Sequence, residues 1–456
     1  MLLDKTIFGK KNTGPVIGYD LSDDSAQLSY LTEDSEEPET AAVVPGSELY
    51  TVPTVLFKRE GANQWFFGRE AYRQQENAAG TLYRELLSNA VRKEQTKREA
   101  EESDGDAESA EEPFDPTELL ALFVSRSLSL LPKEAEVSRA AAIVFTVESL
   151  EDGVLEVMTE LIERLRLKCP RVYVKSHAEC FAEYVTRQKR ELWGGDVLAF
   201  KQGAEDTLRV YRFTSNTKTL PAFVFVDEKN ESFPAEAQTE SDAGEERRKD
   251  TLFLQLAGRA IGERSVTAVY LLGDLFLGEW LRESLRYLCR GRRVFRGNNL
   301  FSKGACFAAE RVAGAGETAE KTAENTAKGA PETIYLGKDK LRTNIALRVS
   351  DRGVPSELSL IDAGENWYDV SAETELYLGR DKTVELLFKP IEADKEEREE
   401  RLVFSELPDR PEYASRVRLT ARFIQKDRLL FTLTDMGFGE LFPKKDITIK
   451  REVALA

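Results

Sequence analysis

The sequence is poor in the residues that build metal clusters and disulfide frameworks. Its 456 residues include a single histidine and four widely separated cysteines, Cys169, Cys180, Cys289 and Cys306. Common zinc sites need closely spaced pairs of cysteine or histidine, and disulfide scaffolds need a high density of cysteine. The scarcity of both residue types therefore excludes these two classes and predicts a cytoplasmic protein with reduced thiols.

Long apolar runs and a basic charge balance are also missing. No uninterrupted apolar segment approaches the roughly 18–20 residues that span a bilayer, and residues 1–11 contain neither an apolar block nor a small-residue cleavage site. We therefore expect no signal peptide. The formal net charge is −17, and such an excess of acids repels nucleic-acid phosphates and anionic lipid surfaces. The sequence predicts neither nucleic acid nor membrane as a partner.

Part of the negative charge is concentrated in one segment. Eight acidic residues and no basic residue occur between Glu99 and Glu112, among serine, alanine and glycine. A block of this kind is typical of a solvated, mobile insert, and a docking tail is the alternative. We place this acidic insert at about 99–114 and a second, polar insert at about 227–250.

Hydrophobic patterning over residues 1–313 predicts an α/β domain. Hairpin strands lead into alternating strands and helices, which implies a largely parallel sheet with crossover helices. The same succession begins again at residue 196 and predicts two related halves. The predicted strands are 15–20, 26–31, 52–57, 64–68, 141–147, 172–174, 196–200, 208–213, 222–226 and 266–273, and the predicted helices cover 69–98, the segment from Asp115, 155–165, the region of Phe181, 251–261 and 277–288.

The last third of the chain has a different pattern. Residues 314–331 are alanine, glutamate, threonine, lysine and glycine without apolar anchors, which is typical of a linker. Short strands at regular spacing follow in residues 332–456 and predict an antiparallel β-sandwich. These strands are 333–336, 345–349, 358–361, 375–378, 384–388, 402–404, 417–424 and 429–433.

The turn after the first strand is the sharpest candidate for chemistry. A strand, a turn rich in small hydroxyl residues and a second strand can offer backbone N–H groups to phosphate oxygens. A carboxylate at the strand end, Asp20, can hold a hydrated Mg²⁺. An ordinary hairpin turn explains the same pattern. The candidate binding residues here are Asp20, Ser22, Asp23, Asp24 and Ser25.

Several motifs in the same order resemble the ATPase superfamily of actin and the seventy-kilodalton heat-shock chaperones. The turn after Asp20 resembles its first phosphate loop, and Val52-Pro53-Thr54-Val55 is similar to a chaperone strand. The segment 271–274 resembles the adenosine loop, with Gly273 and Asp274 as nucleotide-binding candidates. Lys303-Gly304-Ala305 resembles the start of the helix that closes the second lobe.

This resemblance implies a divergent member in a bacterial chaperone-like branch. The implied fold is a two-lobed actin-like ATPase domain with duplicated mixed sheets over residues 1–313, followed by a C-terminal all-β sandwich. The implied cofactor is ATP with Mg²⁺, the metal being held at Asp20, and the alternative is that no cofactor is bound.

The second phosphate loop departs from the superfamily pattern. There, an aspartate ends the strand and small residues follow, whereas this sequence reads Lys201-Gln202-Gly203-Ala204-Glu205-Asp206. Lys201 replaces the carboxylate that orients Mg²⁺ and water, and Glu205 adds a side chain where backbone should approach phosphate. Lys201 could instead neutralise phosphate charge. Gly203 is the one residue of this loop that matches the superfamily pattern in residue type. We therefore expect hydrolysis to be absent or very slow.

Function is predicted from the fold and this departure together. The sequence favours a chaperone-like protein with a degenerate nucleotide-binding cleft, a scaffold that contacts a protein or peptide through the sandwich. A slow ATP-dependent chaperone-type ATPase and an actin-like assembly protein are the alternatives. His177 follows the strand 172–174, where the chaperones have a segment near the cleft, and both a packing role and a cleft role are open to it.

Overall fold

The computed structural model describes residues 14–44, 46–103, 114–150, 153–203, 206–217, 222–233, 242–314, 333–351, 353–368, 370–391, 396–412 and 414–455. The chain divides into two compact units, one ending at Thr333 and one beginning at Ile334. Each unit is described by itself. None of the helices in these ranges combines the length and the apolar character that crossing a membrane requires.

The first unit contains fourteen strands and eight α-helices among its described residues. In chain order they are β1 (Val16–Leu21), β2 (Ser25–Leu31), β3 (Glu39–Thr40), β4 (Val52–Pro53), β5 (Leu56–Arg59), β6 (Trp65–Phe67), α1 (Gly68–Asn77), β7 (Gly80–Tyr83), α2 (Leu86–Ser103), α3 (Pro116–Leu128), β8 (Ala142–Val147), α4 (Val154–Leu165), β9 (Val172–Ser176), α5 (His177–Arg187), β10 (Asp196–Gln202), β11 (Thr207–Asn216), β12 (Ala222–Ser232), α6 (Asp242–Ile261), β13 (Val266–Leu272), α7 (Glu283–Leu288), β14 (Arg293–Gly297) and α8 (Leu300–Gly314).

Two mixed sheets of the first unit share one strand order. In the first sheet the order is β3-β2-β1-β8-β9, where β1, β2 and β3 are antiparallel neighbours and β1, β8 and β9 run parallel. In the second sheet β14-β13-β10-β11-β12 repeats this arrangement, with β10, β13 and β14 parallel. The predicted mixed α/β architecture with several sheets is therefore confirmed.

Helix α8 packs very closely on β1 and α5. A Cβ added to Gly18 of β1 would overlap the carbonyl oxygen of Ser302, and one added to Gly304 of α8 would overlap the carbonyl oxygen of Cys180. Only glycine lets backbones approach this closely. The two glycines thus place α8 against the middle of β1 and the start of α5.

Several predicted elements of the first unit have other bounds. The predicted helix 69–98 is two helices separated by β7, because the chain from Gly80 pairs with β5. Helix α2 continues to Ser103, so the acidic insert begins within a helix, and residues 104–113 lie outside the described residues. Strand β12 and helix α6 likewise extend into the polar insert, and residues 234–241 are not described.

The predicted helix over 277–288 is also wrong in its first half. A 3₁₀ turn covers Asp274–Leu277, and only α7 is an α-helix. Leucine spacing suggested a continuous apolar face, yet Leu277 is 59% exposed. The chain leaves the helical path between these two elements, where Trp280 packs into an aromatic cluster with Phe253 and Phe276.

The second unit consists of strands. They are β15 (Thr333–Tyr335), β16 (Thr343–Asp351), β17 (Val354–Ile361), β18 (Ser371–Leu378), β19 (Thr383–Pro390), β20 (Arg398–Val403), β21 (Ser415–Gln425), β22 (Arg428–Asp435) and β23 (Thr448–Ala454). Two four-stranded antiparallel sheets, β17-β16-β19-β20 and β18-β21-β22-β23, enclose one apolar core. Every predicted strand has a counterpart, and β23 was missed because charged residues separate its two buried ones, Ile449 and Val453.

Candidate functional site

Three polar side chains meet at the carboxyl edge of the first sheet. Asp20 lies near the end of β1, Glu148 directly follows β8, and His177 directly follows β9. Because these strands are parallel neighbours, their carboxyl ends lie at the same edge. The fold therefore brings Asp20 to the same edge as two residues that follow it by more than a hundred positions in the sequence.

The start of α5 fixes the position of His177. The Ser176 hydroxyl caps the helix by accepting a hydrogen bond from the backbone N–H of Glu179 at 3.4 Å. His177 is then the first residue of the helix and is fully buried. Its ring stacks on Phe301 of α8, with the ring centroids 4.0 Å apart and the planes 10° from parallel.

The imidazole of His177 bridges Asp20 and Lys201. Its Nε2 lies 2.7 Å from Oδ1 of Asp20, and its Nδ1 lies 3.5 Å from Nζ of Lys201, near the end of β10 in the second sheet. An ionised carboxylate only accepts and an ammonium only donates. A neutral imidazole with its proton on Nε2 satisfies both neighbours, so one histidine links the ends of strands from the two sheets.

Burial and charge keep this histidine neutral. Burial and the nearby Lys201 ammonium lower the pKa of His177, while Asp20 and Glu148 oppose them without reversing the direction. A neutral ring is the form that the two hydrogen bonds require. The bridge at neutral pH is therefore an ammonium, a neutral imidazole and a carboxylate in a row.

A group of ion pairs centred on Glu148 lies beside Lys201. Nζ of Lys201 lies 3.6 Å from Oε2 of Glu148, and the guanidinium of Arg209 contacts Glu148 at 2.5 Å and Glu228 at 3.2 Å. Burial alone would raise the pKa of Glu148, but Lys201 and Arg209 outweigh it and hold that pKa below its ordinary value. Lys201, the cation that sequence reasoning offered to phosphate, thus lies beside a carboxylate of the same chain.

The turn predicted to cradle phosphate makes contacts within the protein. The carboxylate of Asp23 accepts hydrogen bonds from the backbone N–H of Leu87 at 2.9 Å and of Ser88 at 3.1 Å, and from the Ser88 hydroxyl. It therefore caps the N-terminus of α2 from a distant loop. The hydroxyl of Ser22 closes the turn by bonding the backbone of Ser25. Asp24 is exposed.

The other predicted loops have structural roles that explain their glycines. A Cβ on Gly203 would overlap Oγ1 of Thr207, so glycine is needed where β10 turns into β11. Gly273 has φ +102°, a conformation that favours glycine, and its N–H donates to the carbonyl of Gly297. Asp274 is exposed at the start of the 3₁₀ turn. Glu205 lies outside the described residues.

The contacts at the bridge compete with a magnesium–ATP complex. Oδ1 of Asp20 already accepts from His177, and the Lys201 ammonium on the other side of that ring would repel a cation. Within the described ranges, no cluster of three or more histidine, cysteine, aspartate or glutamate residues could hold a metal. Nucleotide binding at the candidate residues stays a prediction.

Sequence reasoning named Asp20 and Lys201 but missed three of their neighbours. Glu148 could have been found, because it directly follows a predicted buried strand and therefore lies at a sheet edge. Arg209 sits within a predicted strand and Phe301 carries no motif, so only tertiary packing identifies them. For His177 the structure shows packing, since the ring is buried and bonded to Asp20, and the cleft role stays a prediction.

Residues 37–323 match the family described as "Family of unknown function (DUF5716) C-terminal", which covers more than half of the chain. The chain belongs to this family. Asp20 precedes the matched DUF5716 region, while His177, Lys201 and Phe301 lie within it. Residues 340–455 match a second description, "Domain of unknown function (DUF8552)". A comparison with curated proteins gave no match.

Among solved structures, the DUF5716 chain is similar to two proteins at 10% identity. A non-polymerising mutant of MamK bound to AMPPNP has a TM-score of 0.37, with 65% of this chain and 99% of that chain covered. MreB5 of Spiroplasma citri bound to ADP has a TM-score of 0.38, with 67% and 99% covered. TM-scores below 0.5 do not establish a shared fold.

Proposed function

We propose that the first unit is an actin-like domain with a degenerate nucleotide cleft, and that the protein acts as an interaction scaffold with little or no ATP hydrolysis. The observation that carries this proposal is the bridge from Asp20 through His177 to Lys201. It joins Asp20 and Lys201, the two residues at which the sequence resemblance would expect metal and phosphate. The repeated strand order of the two mixed sheets supports the actin-like, duplicated fold.

The free-energy cost of displacing the contacts of the bridge disfavours nucleotide binding at this site. A metal entering beside Asp20 would have to displace the His177 hydrogen bond and sit near the Lys201 ammonium. A hydrogen bond between a neutral group and a charged one typically contributes about 1.5–3 kcal/mol. A phosphate approaching Lys201 would compete with Glu148, which is already beside it. Each ligand group must therefore replace a contact that the chain makes for itself.

The chemistry of Lys201 argues against hydrolysis. At neutral pH an ammonium neither ligates Mg²⁺ nor accepts a proton from water. Loss of a group that moves a proton commonly lowers a rate by about 10²–10⁴. The chaperone-like character and the actin-like assembly role rest on the sequence resemblance alone and remain predictions.

Addition of ATP, with or without Mg²⁺, should leave the melting temperature of the purified chain unchanged. A ligand present at a hundred times its Kd would stabilise the native state by about 2.7 kcal/mol, an effect that thermal unfolding detects readily. Steady-state ATP hydrolysis should equal background in the wild type and in Asp20→Ala. The matched control is Asp24→Ala, which removes an exposed carboxylate from the same turn.

One outcome contradicts the proposal. If ATP with Mg²⁺ raises the melting temperature, or is turned over, and Asp20→Ala abolishes the effect while Asp24→Ala keeps it, then Asp20 serves a working nucleotide site.

A further inference from the structure

The second unit has a cavity of about 630 Å³ at one end of its sandwich. Its wall is formed by the segment before β16, the end of β19, the start of β20, the turn between β21 and β22, and residue 455. All these residues belong to the unit that begins at Ile334. The cavity is thus a property of this sandwich alone and is separate from the bridge at His177.

Positive charge surrounds this cavity in an otherwise acidic chain. Five of its lining residues are cationic, Lys338, Lys340, Arg342, Arg398 and Lys426, and two, Glu396 and Asp427, are acidic. The whole chain carries a formal net charge of −17. A local excess of cations around a concave site attracts an anionic ligand and orients it.

The remaining wall of the cavity is apolar and aromatic. Trp367, Phe388 and Leu455 contribute to it. The guanidinium of Arg398 lies 4.5 Å from the centre of the Phe388 ring, and it donates to the carbonyl of Ala454 at 2.5 Å. Nε1 of Trp367 is buried and has no acceptor among the described residues. The wall thus combines seven charged residues with five apolar or aromatic ones.

Backbone hydrogen bonds fix the shape of the cavity. The N–H of Leu455 donates to the carbonyl of Asp427 at 2.8 Å, and the N–H of Ile391 donates to the carbonyl of Arg342 at 2.9 Å. These bonds tie the strand ends of both sheets around the opening. A preformed site of this kind loses little conformational entropy on binding.

We propose that this cavity binds an acidic peptide segment of a partner protein, with one apolar side chain of the peptide in the cavity. The inference rests on the proposed scaffold function and names the chemistry of its partner. Carboxylates of the peptide pair with the cationic rim, and the apolar side chain packs on the half-buried Trp367, Pro390 and Leu455. Nucleic acid would supply the negative charge, but it has no apolar side chain to place in the cavity. The net negative charge of the whole chain also repels it.

Binding is measured by fluorescence anisotropy with the full chain and a labelled synthetic peptide of about twelve residues, rich in glutamate and aspartate, with one central phenylalanine. We expect saturable binding that weakens about tenfold when that phenylalanine is replaced by glycine. Binding should also weaken as salt is raised from about 50 to about 300 mM, because the rim charges are near solvent. A peptide with lysine in place of the acids should not bind.

Two double variants with equal changes in charge test the position of the site. Lys338→Glu with Lys426→Glu reverses two cations at the cavity, and we expect about tenfold weaker binding. Arg380→Glu with Lys444→Glu reverses two exposed cations elsewhere on the same unit and should bind as the wild type does. Thermal unfolding establishes that both variants are folded, and the peptide controls need no variant at all.

Three results would overturn the inference. They are equal binding by both double variants, equal binding of the phenylalanine and glycine peptides, and complete competition by single-stranded DNA of the same charge. None of these readouts involves ATP. Stabilisation by ATP that depends on Asp20 would refute the degenerate cleft while leaving peptide binding intact, so the two failures are distinguishable.

Discussion

The protonation state of His177 controls the two hydrogen bonds that link Asp20 to Lys201. A neutral ring donates to Asp20 from Nε2 and accepts from Lys201 at Nδ1. A second proton, on Nδ1, would turn that acceptor into a donor facing an ammonium, and it would place a charge in a buried site. The bridge therefore depends on a ring that stays neutral.

This residue gives the free energy of unfolding a defined pH dependence. The pKa of His177 in the native state lies below its ordinary value of 6.5. Below about pH 6.5 the unfolded chain binds a proton that the native chain does not, so the stability decreases as the pH falls, by up to about 1.4 kcal/mol per pH unit. The stability is measured by urea denaturation between about pH 5 and pH 7.

The matched variant is His177→Gln, whose amide can still donate to Asp20 but does not titrate. It should lose most of the slope in this range, because the chain has no other histidine. The lowered pKa of Glu148 places its titration at a lower pH. An unchanged slope in His177→Gln would assign the pH dependence to other groups and contradict the neutral bridge.

Sequence reasoning singled out all three bridge residues but not the contacts between them. Asp20 and Lys201 were named because they lie where the sequence resembles, and departs from, the first and second phosphate loops of the superfamily. The hydrogen bonds to His177 depend on the rotation of α5 and on the close approach of α8 at Gly18 and Gly304. These are tertiary distances, and no periodicity within one element encodes them.

At the scale of secondary structure, the start of α2 depends on a side chain from another element. Asp23 lies in the turn between β1 and β2, yet it accepts hydrogen bonds from the first N–H groups of α2. An unpaired helix N-terminus has several N–H groups without partners and favours a carboxylate nearby. The turn that resembles a phosphate loop therefore places its negative charge on a helix of the same chain.

Replacing this cap should destabilise the protein by a measurable amount. Asp23→Ala is expected to lower the free energy of unfolding by about 1 kcal/mol, the usual effect of losing an N-cap. The control Asp24→Ala should change it by less than about 0.5 kcal/mol, because that side chain is exposed. Both values come from urea denaturation at neutral pH. Equal effects of the two substitutions would show that the cap contributes nothing.

Most strands and helices could be predicted, and the misses have identifiable causes. The capped start of α3 at Asp115 and the fully buried β8 combine strong local signals, and both were found. Strand β7 was read as helix because its few residues follow a helical stretch directly, and only pairing with β5 makes it a strand. Pairing between distant segments is the information that one-dimensional patterns lack.

At the scale of the whole molecule, the second unit has the core of an independent domain. Its apolar cluster runs from Leu341 to Val453 and is formed by residues of this unit alone. A domain that buries its own core can fold without the rest of the chain. The predicted boundary at residues 314–331 leads to a direct test, although residues 315–332 are outside the described residues.

Limited proteolysis of the full chain should cut within 314–331 and release a fragment that begins near Glu332. The fragment should remain folded, because no residue of its core is lost. Mass spectrometry gives the cut site, and cooperative thermal unfolding of the isolated fragment shows whether it is folded. A full-length chain that resists cleavage there, or a fragment without a cooperative transition, would contradict the prediction.

Because the chain has a single histidine, the bridge from Asp20 to Lys201 contains its own spectroscopic probe. A sample labelled with ¹⁵N at its histidine has one imidazole to observe, and that imidazole lies between Asp20 and Lys201. The two ring nitrogens have distinct chemical shifts, so the spectrum reports the tautomer, the proton count and any change of neighbour without assignment of the other residues. Events at this site, whether a ligand arrives or a partner binds elsewhere on the chain, can thus be followed through a single pair of resonances.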